Sequence, residues 1–223
     1  MRSPTVTTLS YARALHIVRR SQRRAALATR LHVLGRFLSC PFLPVVAALP
    51  GAARVLDVGS GHGIFAHLAA AAGARAVVAL EPDRRKMLTW AAAGGPGERV
   101  FPVCGYLDAT SGGFDAVAML DVLYRLPADQ WDAVLGGLFE RLRPGGRLLL
   151  KEIDPEHRVK GWINRLQERA ADAVGLTLGS AFTYEEPAAM AARLLRLGFA
   201  DVEQRALGRW YPHAHVLYLA RRP

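Results

Sequence analysis

The sequence predicts an α/β protein with a doubly wound, mostly parallel seven-stranded sheet, helices on both faces and an N-terminal helical cap. Short apolar runs alternate with helix-like segments, as a parallel sheet requires. The first run closes in an acid and a glycine-rich turn, Asp57-Val58-Gly59-Ser60-Gly61-His62-Gly63, and leads into a helix. The 223 residues, of which 51% are hydrophobic, suffice for one globular domain with a large core.

The elements after residue 50 follow in a regular order. Strands are predicted at 55–58, 75–80, 100–104, 114–120, 147–153, 201–207 and 215–220. Helices are predicted at 64–72, 82–93, 128–142 and 187–197, with glycine-rich turns at 94–97 and 143–146. The last two strands are expected to pair antiparallel and close the sheet. No internal repeat or second independent domain is present, so residues 51–223 are predicted to form one domain.

Residues 1–50 are predicted to form a basic helical cap. No Asp or Glu precedes Asp57, and subtracting the nine arginines before it from the net charge of +10 leaves about +1 for the rest of the chain. A nearly neutral main domain argues against nucleic acid as the partner. Leu27, Leu31, Leu34 and Leu38 share one helical face by their i, i+4, i+7, i+11 spacing. We expect this helix to pack over the cofactor or substrate side of the domain.

Other roles for the basic segment stay open. A basic amphipathic helix could rest peripherally on an anionic membrane surface, or present a solvated basic face. An Arg-rich, acid-poor segment also fits an organelle transit peptide, whereas arginines interrupt every apolar core that a signal peptide would need. Only Cys40 and Cys104 are present, and no apolar run reaches membrane-spanning length, so a cytoplasmic location is expected.

The glycines of the turn are spaced differently from those of a dinucleotide-binding fingerprint. The sixth position counted from Gly59 is Ile64, so the G-x-G-x-x-G dinucleotide fingerprint is absent. The pattern D-x-G-x-G-x-G, read as VLDVGSGHG, resembles the first motif of class I S-adenosylmethionine-dependent methyltransferases. The resemblance implies S-adenosylmethionine as cofactor and S-adenosylhomocysteine as product. It assigns cofactor contacts to Asp57, Gly59, Ser60, Gly61 and Gly63.

Two further segments follow this pattern. Glu81 lies 18 residues after Gly63, where an ionised carboxylate can accept hydrogen bonds from both ribose hydroxyls. Glu81 and Pro82 resemble the family's second motif, although NAD-binding folds place an acid similarly. Family members often carry an acid after strand three that contacts the adenine amino group. Here Tyr106 takes that place, so either Asp108 serves instead or the adenine packs on Tyr106 or Leu107.

The fourth predicted strand ends in Asp121-Val122-Leu123-Tyr124-Arg125-Leu126-Pro127. This segment resembles the D-V-L-H-H-L-P motif of small-molecule methyltransferases, and the Asp/Asn-Pro-Pro-aromatic motif of nucleic-acid amino-methyltransferases is absent. The resemblance places Asp121 and Tyr124 beside the sulfonium and the incoming acceptor. Asp121 could equally be a structural acid that binds nearby backbone N–H groups.

A base is needed only when the acceptor loses a proton. His157, just after strand five, is the preferred base, and His213, His215, Tyr124 and Asp121 are alternatives. No group of His, Cys or carboxylate residues has the spacing of metal ligands, so no metal is expected.

The predicted function is methyl transfer from S-adenosylmethionine to a small-molecule or lipid-like acceptor, with a hydroxyl oxygen preferred. The aromatic insertion at 154–186, at the carboxyl edge of the sheet, is expected to set the specificity. One alternative is an RNA or protein methyltransferase that uses the basic N-terminal segment. Another is a non-catalytic cofactor-binding subunit. The oligomeric state is left open.

Overall fold

The computed structural model describes residues 7–95, 97–153, 183–208, 211 and 214–223. Its strands are β1 (Arg54–Val58), β2 (Ala76–Glu81), β3 (Val100–Cys104), β4 (Phe114–Leu120), β5 (Leu142–Ile153), β6 (Ala200–Leu207) and β7 (His215–Arg221). Its helices are α1 (Tyr11–Ser21), α2 (Leu27–Ser39), α3 (Phe42–Ala47), α4 (Ile64–Ala71), α5 (Arg84–Ala93), α6 (Trp131–Arg141) and α7 (Pro187–Arg196).

The seven strands form one sheet in the order β3-β2-β1-β4-β5-β7-β6. The contacts among β3, β2, β1, β4 and β5 are parallel, and both contacts of β7 are antiparallel. The sheet is therefore mixed, which corrects the expectation of a mostly parallel one. The antiparallel pairing of the last two strands is confirmed. Only a short connection separates β6 from β7, and such a connection permits a hairpin, whereas a parallel return needs a longer crossover.

The strand and helix bounds lie close to those predicted. Strand β5 and helix α5 begin at residues other than the predicted ones, each for a physical reason. β5 begins at Leu142, which pairs with Phe114 before an irregularity in register, so the predicted turn at 143–146 lies inside the strand. Helix α5 begins at Arg84 because the Asp83 carboxylate accepts the N–H groups of Arg85 and Lys86 as an N-cap.

Helices cover both faces of the sheet and divide the core in two. On one face, side chains of α1–α5 pack against alternate strand residues such as Val55 and Leu149. On the other face, α6 and α7 pack against the intervening residues such as Leu56 and Leu148. This alternation follows from the two-residue period of a strand. All of these strand residues are fully buried.

Helix α2 packs against the domain by a different face from the one that carries the leucines. In α2 the buried residues are Val33 and Phe37. Leu27, Leu31 and Leu38 are 67%, 60% and 49% exposed. Periodic spacing identifies residues that share a helical face, but it does not identify the face that meets the core. Within the described part of the chain, no helix is long and apolar enough to cross a membrane.

Candidate functional site

Three acids from neighbouring strands meet at the carboxyl edge of the sheet. Asp57 lies in β1, Glu81 ends β2, and Asp121 directly follows β4. These strands are adjacent in the order β2-β1-β4. Strands β2 and β3 lie on one side of β1, and β4 and β5 lie on the other, so the strand order reverses between β1 and β4. Such a reversal opens a crevice at the carboxyl ends of the strands, where open α/β sheets bind ligands.

The glycine-rich turn from Gly59 to Gly63 is fixed by hydrogen bonds to β2. The N–H groups of Gly59 and Ser60 donate to the Leu80 carbonyl at 2.8 and 3.0 Å. The Gly61 N–H donates to Glu81 Oε2 at 2.8 Å. The fold therefore brings the first motif, the glycine-rich turn, into direct contact with the second motif at Glu81.

The three glycines of the turn have positive φ but different surroundings. A Cβ on Gly59 would meet a Val122 methyl at 2.4 Å, and one on Gly63 would meet the Trp90 ring at 2.2 Å. A Cβ on Gly61 would meet nothing within 4 Å. The outer glycines are required for packing, whereas Gly61 faces open space in which a ligand can approach the backbone.

Buried acceptor groups belong to the glycine turn and to the strands that flank it. Glu81 is 5% exposed, and its Oε1 accepts the Asp83 N–H at 3.1 Å. Asp57 Oδ2 and Ser60 Oγ are buried and have no hydrogen-bond partner among the described residues. Burial, and secondarily the Glu81 charge, raises the pKa of Asp57 to about 8. Unsatisfied buried polar atoms beside an open backbone fit a ligand with several hydroxyl and amino groups, as S-adenosylmethionine has.

The third motif lies at the surface beside this site. Asp108 sits in a short 3-10 turn, Leu107–Ala109, and is exposed. Tyr106 is 73% exposed. The Gly105 N–H donates to the Glu81 carbonyl at 3.2 Å, which ties this loop to the end of β2. All three candidates for the adenine contact, Asp108, Tyr106 and Leu107, therefore lie in a loop that is tied to the end of β2.

Asp121 is the centre of a buried ion cluster, which comprises Asp121, Lys151, Arg36 and His215. Lys151 Nζ lies 2.6 and 2.7 Å from the two Asp121 carboxylate oxygens, and Arg36 Nη2 lies 2.9 Å from Oδ2. His215 Nδ1 lies 3.3 Å from Lys151 Nζ. Burial alone would raise the pKa of Asp121, but Lys151 and Arg36 outweigh burial and lower it.

The backbone of Asp121 is also unusual. Its φ is 58°, in the left-handed region that Asp and Asn tolerate better than most residues. The side chain binds two cations instead of the backbone N–H groups considered from the sequence.

Glu152 holds the backbone that follows Asp121. Its two carboxylate oxygens accept the N–H groups of Leu123 and Tyr124 at 3.1 and 3.3 Å. Burial, and secondarily the Asp121 charge, raises the pKa of Glu152 to about 8. Neither Lys151 nor Glu152 was among the residues predicted from the sequence. Their signal is a pair of charged residues inside the otherwise apolar strand Leu148-Leu149-Leu150-Lys151-Glu152-Ile153.

Tyr124 forms an aromatic surface next to the ion cluster. Its ring stacks on Tyr184, with ring centroids 5.7 Å apart and planes 19° apart. The Arg125 guanidinium lies 5.6 Å from the centroid of the Tyr124 ring. Burial raises the pKa of Tyr124. The Tyr124 hydroxyl therefore holds its proton firmly, which makes it a poor general base.

The N-terminal helices reach the same edge of the sheet. Gln22 Nε2 donates to the carbonyl of His62, within the glycine turn, at 3.2 Å. The ring of His32, on α2, lies edge-on to that of His62 with centroids 5.7 Å apart. Burial lowers the pKa of both histidines, and Arg36 lowers that of His32 further. His32 and Arg36 were not predicted as site residues, because they join the site only through contacts distant in the chain. His62 was not predicted either, although it lies within the glycine turn.

Of the five predicted bases, the described structure brings Asp121 and His215 together in the ion cluster, their Oδ1 and Nδ1 atoms 3.8 Å apart. His157 and His213 lie outside the described residues. His215 is 3% exposed, and its Nδ1 contacts Lys151 inside the ion cluster. In that position His215 is part of the cluster rather than of an open surface.

Comparison with known proteins identifies the family. A family model described as a methyltransferase domain matches residues 18–204. The chain is 31% identical over 118 residues to tuberculostearic acid methyltransferase of Mycobacterium tuberculosis. That match covers 51% of this chain and 27% of the relative, so the chain spans about a quarter of the relative's length.

Solved structures agree in fold. An S-adenosylmethionine-dependent methyltransferase from Mesorhizobium loti has 20% identity and a TM-score of 0.62, over 81% of this chain and 97% of that one. A 1,6-didemethyltoxoflavin-N1-methyltransferase from Burkholderia thailandensis, with bound S-adenosylhomocysteine, has 20% identity and a TM-score of 0.61. That alignment covers 98% of this chain and 93% of the Burkholderia thailandensis enzyme's chain. At these identities the likeness concerns the fold.

Proposed function

This chain belongs to the methyltransferase domain family, as a class I S-adenosylmethionine-dependent enzyme, and from that premise we propose that it methylates a hydroxyl oxygen of a small-molecule or lipid-like acceptor. The donor supplies a methyl group on a sulfonium, which is already activated for transfer. The protein then contributes alignment of the acceptor and exclusion of water. Residues 1–50 serve in this proposal as a cap over the carboxyl edge of the 51–223 domain.

The stacked pair Tyr124–Tyr184 is the observation that carries the acceptor class. Tyr184 is 37% exposed, and its ring stacks on the buried ring of Tyr124, which lies three residues after Asp121. The accessible Tyr184 ring, held by stacking on Tyr124, offers an apolar face to a ring or an alkyl chain. The tuberculostearic acid methyltransferase, a relative named for a lipid, is in keeping with such an acceptor.

The donor is assigned to the glycine turn and Glu81. In this proposal Glu81 accepts the ribose hydroxyls, and Ser60 and Asp57 offer the polar atoms that lack partners in the described structure. Gly61 leaves the space that the donor needs, while Gly59 and Gly63 keep the turn packed on Val122 and Trp90. Pro82 and either Asp108 or Tyr106 border the adenine side.

A hydroxyl acceptor must lose its proton, and this requirement discriminates among the candidate bases. Asp121 has a lowered pKa and binds two cations, so it is a weak base. In our proposal Asp121 positions Arg36 and α2 at the edge of the sheet. His157 stays the proposed base. His32 and His62 join it as candidates, because their lowered pKa values leave them neutral and able to accept a proton.

Transfer of a radiolabelled methyl group tests the proposal. The protein and labelled S-adenosylmethionine are added to an extract of the native cell, and the products are separated into organic-soluble, nucleic-acid and protein fractions. Gly61→Asp protein serves as the blank. We expect label in the organic fraction only, followed by identification of a new methoxy group by mass spectrometry and NMR. Label confined to RNA or protein would overturn the acceptor class, and a product methylated at nitrogen or carbon would overturn the choice of oxygen.

A further inference from the structure

The exposed side of α2 is a continuous apolar stripe, here called the leucine face: Leu27, Leu31, Leu34 and Leu38. The spacing of these residues places them along one side of the helix, which is about 20 Å long. Leu34 is half-buried and the other three are exposed. An apolar stripe of this length turned away from the core marks a surface that meets another apolar phase.

The opposite side of α2 is fixed to the domain. Val33 and Phe37 are buried in the core, and Arg36 binds Asp121 at 2.9 Å. On a helical wheel Arg36 lies opposite the leucine face. Helix α2 therefore cannot rotate to bury its leucines without breaking the Arg36–Asp121 ion pair and removing Phe37 from the core.

The N-terminal segment that carries the leucine face is rich in positive charge. Six exposed arginines lie on α1, on α2 and in the connection between them: Arg13, Arg19, Arg20, Arg23, Arg24 and Arg30. No Asp or Glu occurs before Asp57, so this part of the chain contains no acid to neutralise them. An apolar face on an arginine-rich segment matches the acyl and headgroup layers of an anionic bilayer.

We propose that the leucine face of α2 binds an anionic membrane surface, with its leucines in the acyl boundary and the neighbouring arginines on lipid phosphates. A second copy of the chain is disfavoured as the occupant, because two such faces would bring twelve arginines together. RNA is disfavoured because leucines offer neither stacking nor hydrogen bonds to bases.

Membrane binding would place the methylation site near the bilayer. Helix α2 carries the leucine face on one side and, on the other, Arg36 and His32, which contact Asp121 and the ring of His62. An acceptor that partitions into the membrane would then reach the site from the surface to which the enzyme is bound. Attachment to the membrane depends on the leucine face of α2 and on the arginines of the N-terminal segment, so it holds or fails independently of the proposed acceptor.

Co-sedimentation with vesicles tests the inference on the full chain. One set of vesicles contains equal amounts of phosphatidylglycerol and phosphatidylcholine, and the other contains phosphatidylcholine alone. The matched variants are Leu31→Ser and Leu195→Ser, since these leucines are 60% and 56% exposed and both lie on helices. Leu195, on α7, lies on the opposite side of the sheet from α2. Thermal unfolding by circular dichroism checks that both variants are folded.

We expect the native chain and Leu195→Ser to bind anionic vesicles, and Leu31→Ser to bind them about tenfold more weakly. High salt should weaken binding, and neutral vesicles should retain little protein. Equal binding of the two variants would overturn the proposal, since the arginines alone would then account for attachment. It would also be overturned if light scattering showed a dimer that Leu31→Ser dissociates, or if an RNA oligonucleotide bound tightly while both vesicle types did not.

Discussion

Gly61 differs from its two neighbouring glycines in what lies beyond its Cα. Gly59 and Gly63 are enclosed by Val122 and Trp90, so a larger residue at either position would disrupt packing. A Cβ added at Gly61 would have no atom within 4 Å, and the Gly61 N–H donates to Glu81. A side chain at position 61 would therefore enter the donor site without displacing the core.

We predict that Gly61→Asp weakens binding of S-adenosylmethionine by more than about tenfold, measured by isothermal titration calorimetry. The new carboxylate would occupy ligand space and lie next to Glu81. Gly145→Asp is the matched control, because Gly145 has the same open surroundings and a φ of +75° but lies at the start of β5. Comparable loss of affinity in both variants would show that the effect arises from backbone strain.

The residues of the site that could be predicted from the sequence are those in short motifs. Asp57, Gly61 and Glu81 lie within or directly after predicted strands, so their common location follows from the strand pattern. Arg36 could not be predicted in the same way, because its partner Asp121 is 85 positions further along the chain. No local spacing encodes a contact of that kind.

At the scale of elements, the Asp121 ion cluster joins α2 to β4 and β5. Lys151 is fully buried, whereas the Arg36 side chain is 30% exposed. Removing Asp121 would leave a buried ammonium without its carboxylate. Removing Arg36 would leave the Asp121–Lys151 pair intact. The buried Asp121–Lys151 pair therefore contributes more to stability than the partly exposed Arg36–Asp121 pair.

We predict that Asp121→Asn lowers the free energy of unfolding by about 3–5 kcal/mol, and Arg36→Gln by about 1 kcal/mol. Asparagine tolerates the left-handed backbone at position 121, so strain is not introduced. Urea denaturation in the absence of donor measures both values. A larger loss for Arg36→Gln would mean that docking of α2, and not the buried pair, dominates the cluster.

Element positions were predictable where periodicity and burial coincide. Strands β3 and β4 have the predicted bounds, because each is an apolar run closed by a turn. The packing side of α2 was not predictable, because its leucines are more regularly spaced than Val33 and Phe37. Tertiary contacts decided which side is buried: Phe37 packs on Tyr11, with ring centroids 5.3 Å apart, and Arg36 binds Asp121.

At the scale of the whole molecule, two buried carboxyl groups make stability depend on pH. Burial raises the pKa of both Asp57 and Glu152 to about 8, from ordinary values of 3.8 and 4.5. Each holds a proton in the folded state that the unfolded chain releases. The free energy of unfolding contributed by these groups therefore falls as pH rises through this window.

Histidines oppose this dependence at lower pH. Burial lowers the pKa of His67 from 6.5 to about 4, and it also lowers those of His32 and His62. The unfolded chain binds more protons at these histidines, so their contribution to stability rises with pH up to about 6.5. Above that pH the contribution of the histidines fades as the unfolded chain loses its remaining histidine protons, and the two carboxyl groups dominate the slope.

We predict that the midpoint of urea unfolding decreases between about pH 6.5 and pH 8, and that Asp57→Asn reduces this decrease. An amide at position 57 does not ionise, so the variant should gain stability over the native chain as pH rises, by on the order of 1–3 kcal/mol at pH 8. Asp129→Asn, at an exposed position, is the control and should follow the native curve. A difference between Asp57→Asn and the native chain that stays constant across this range would show that Asp57 is ionised in the folded protein, and would overturn the prediction.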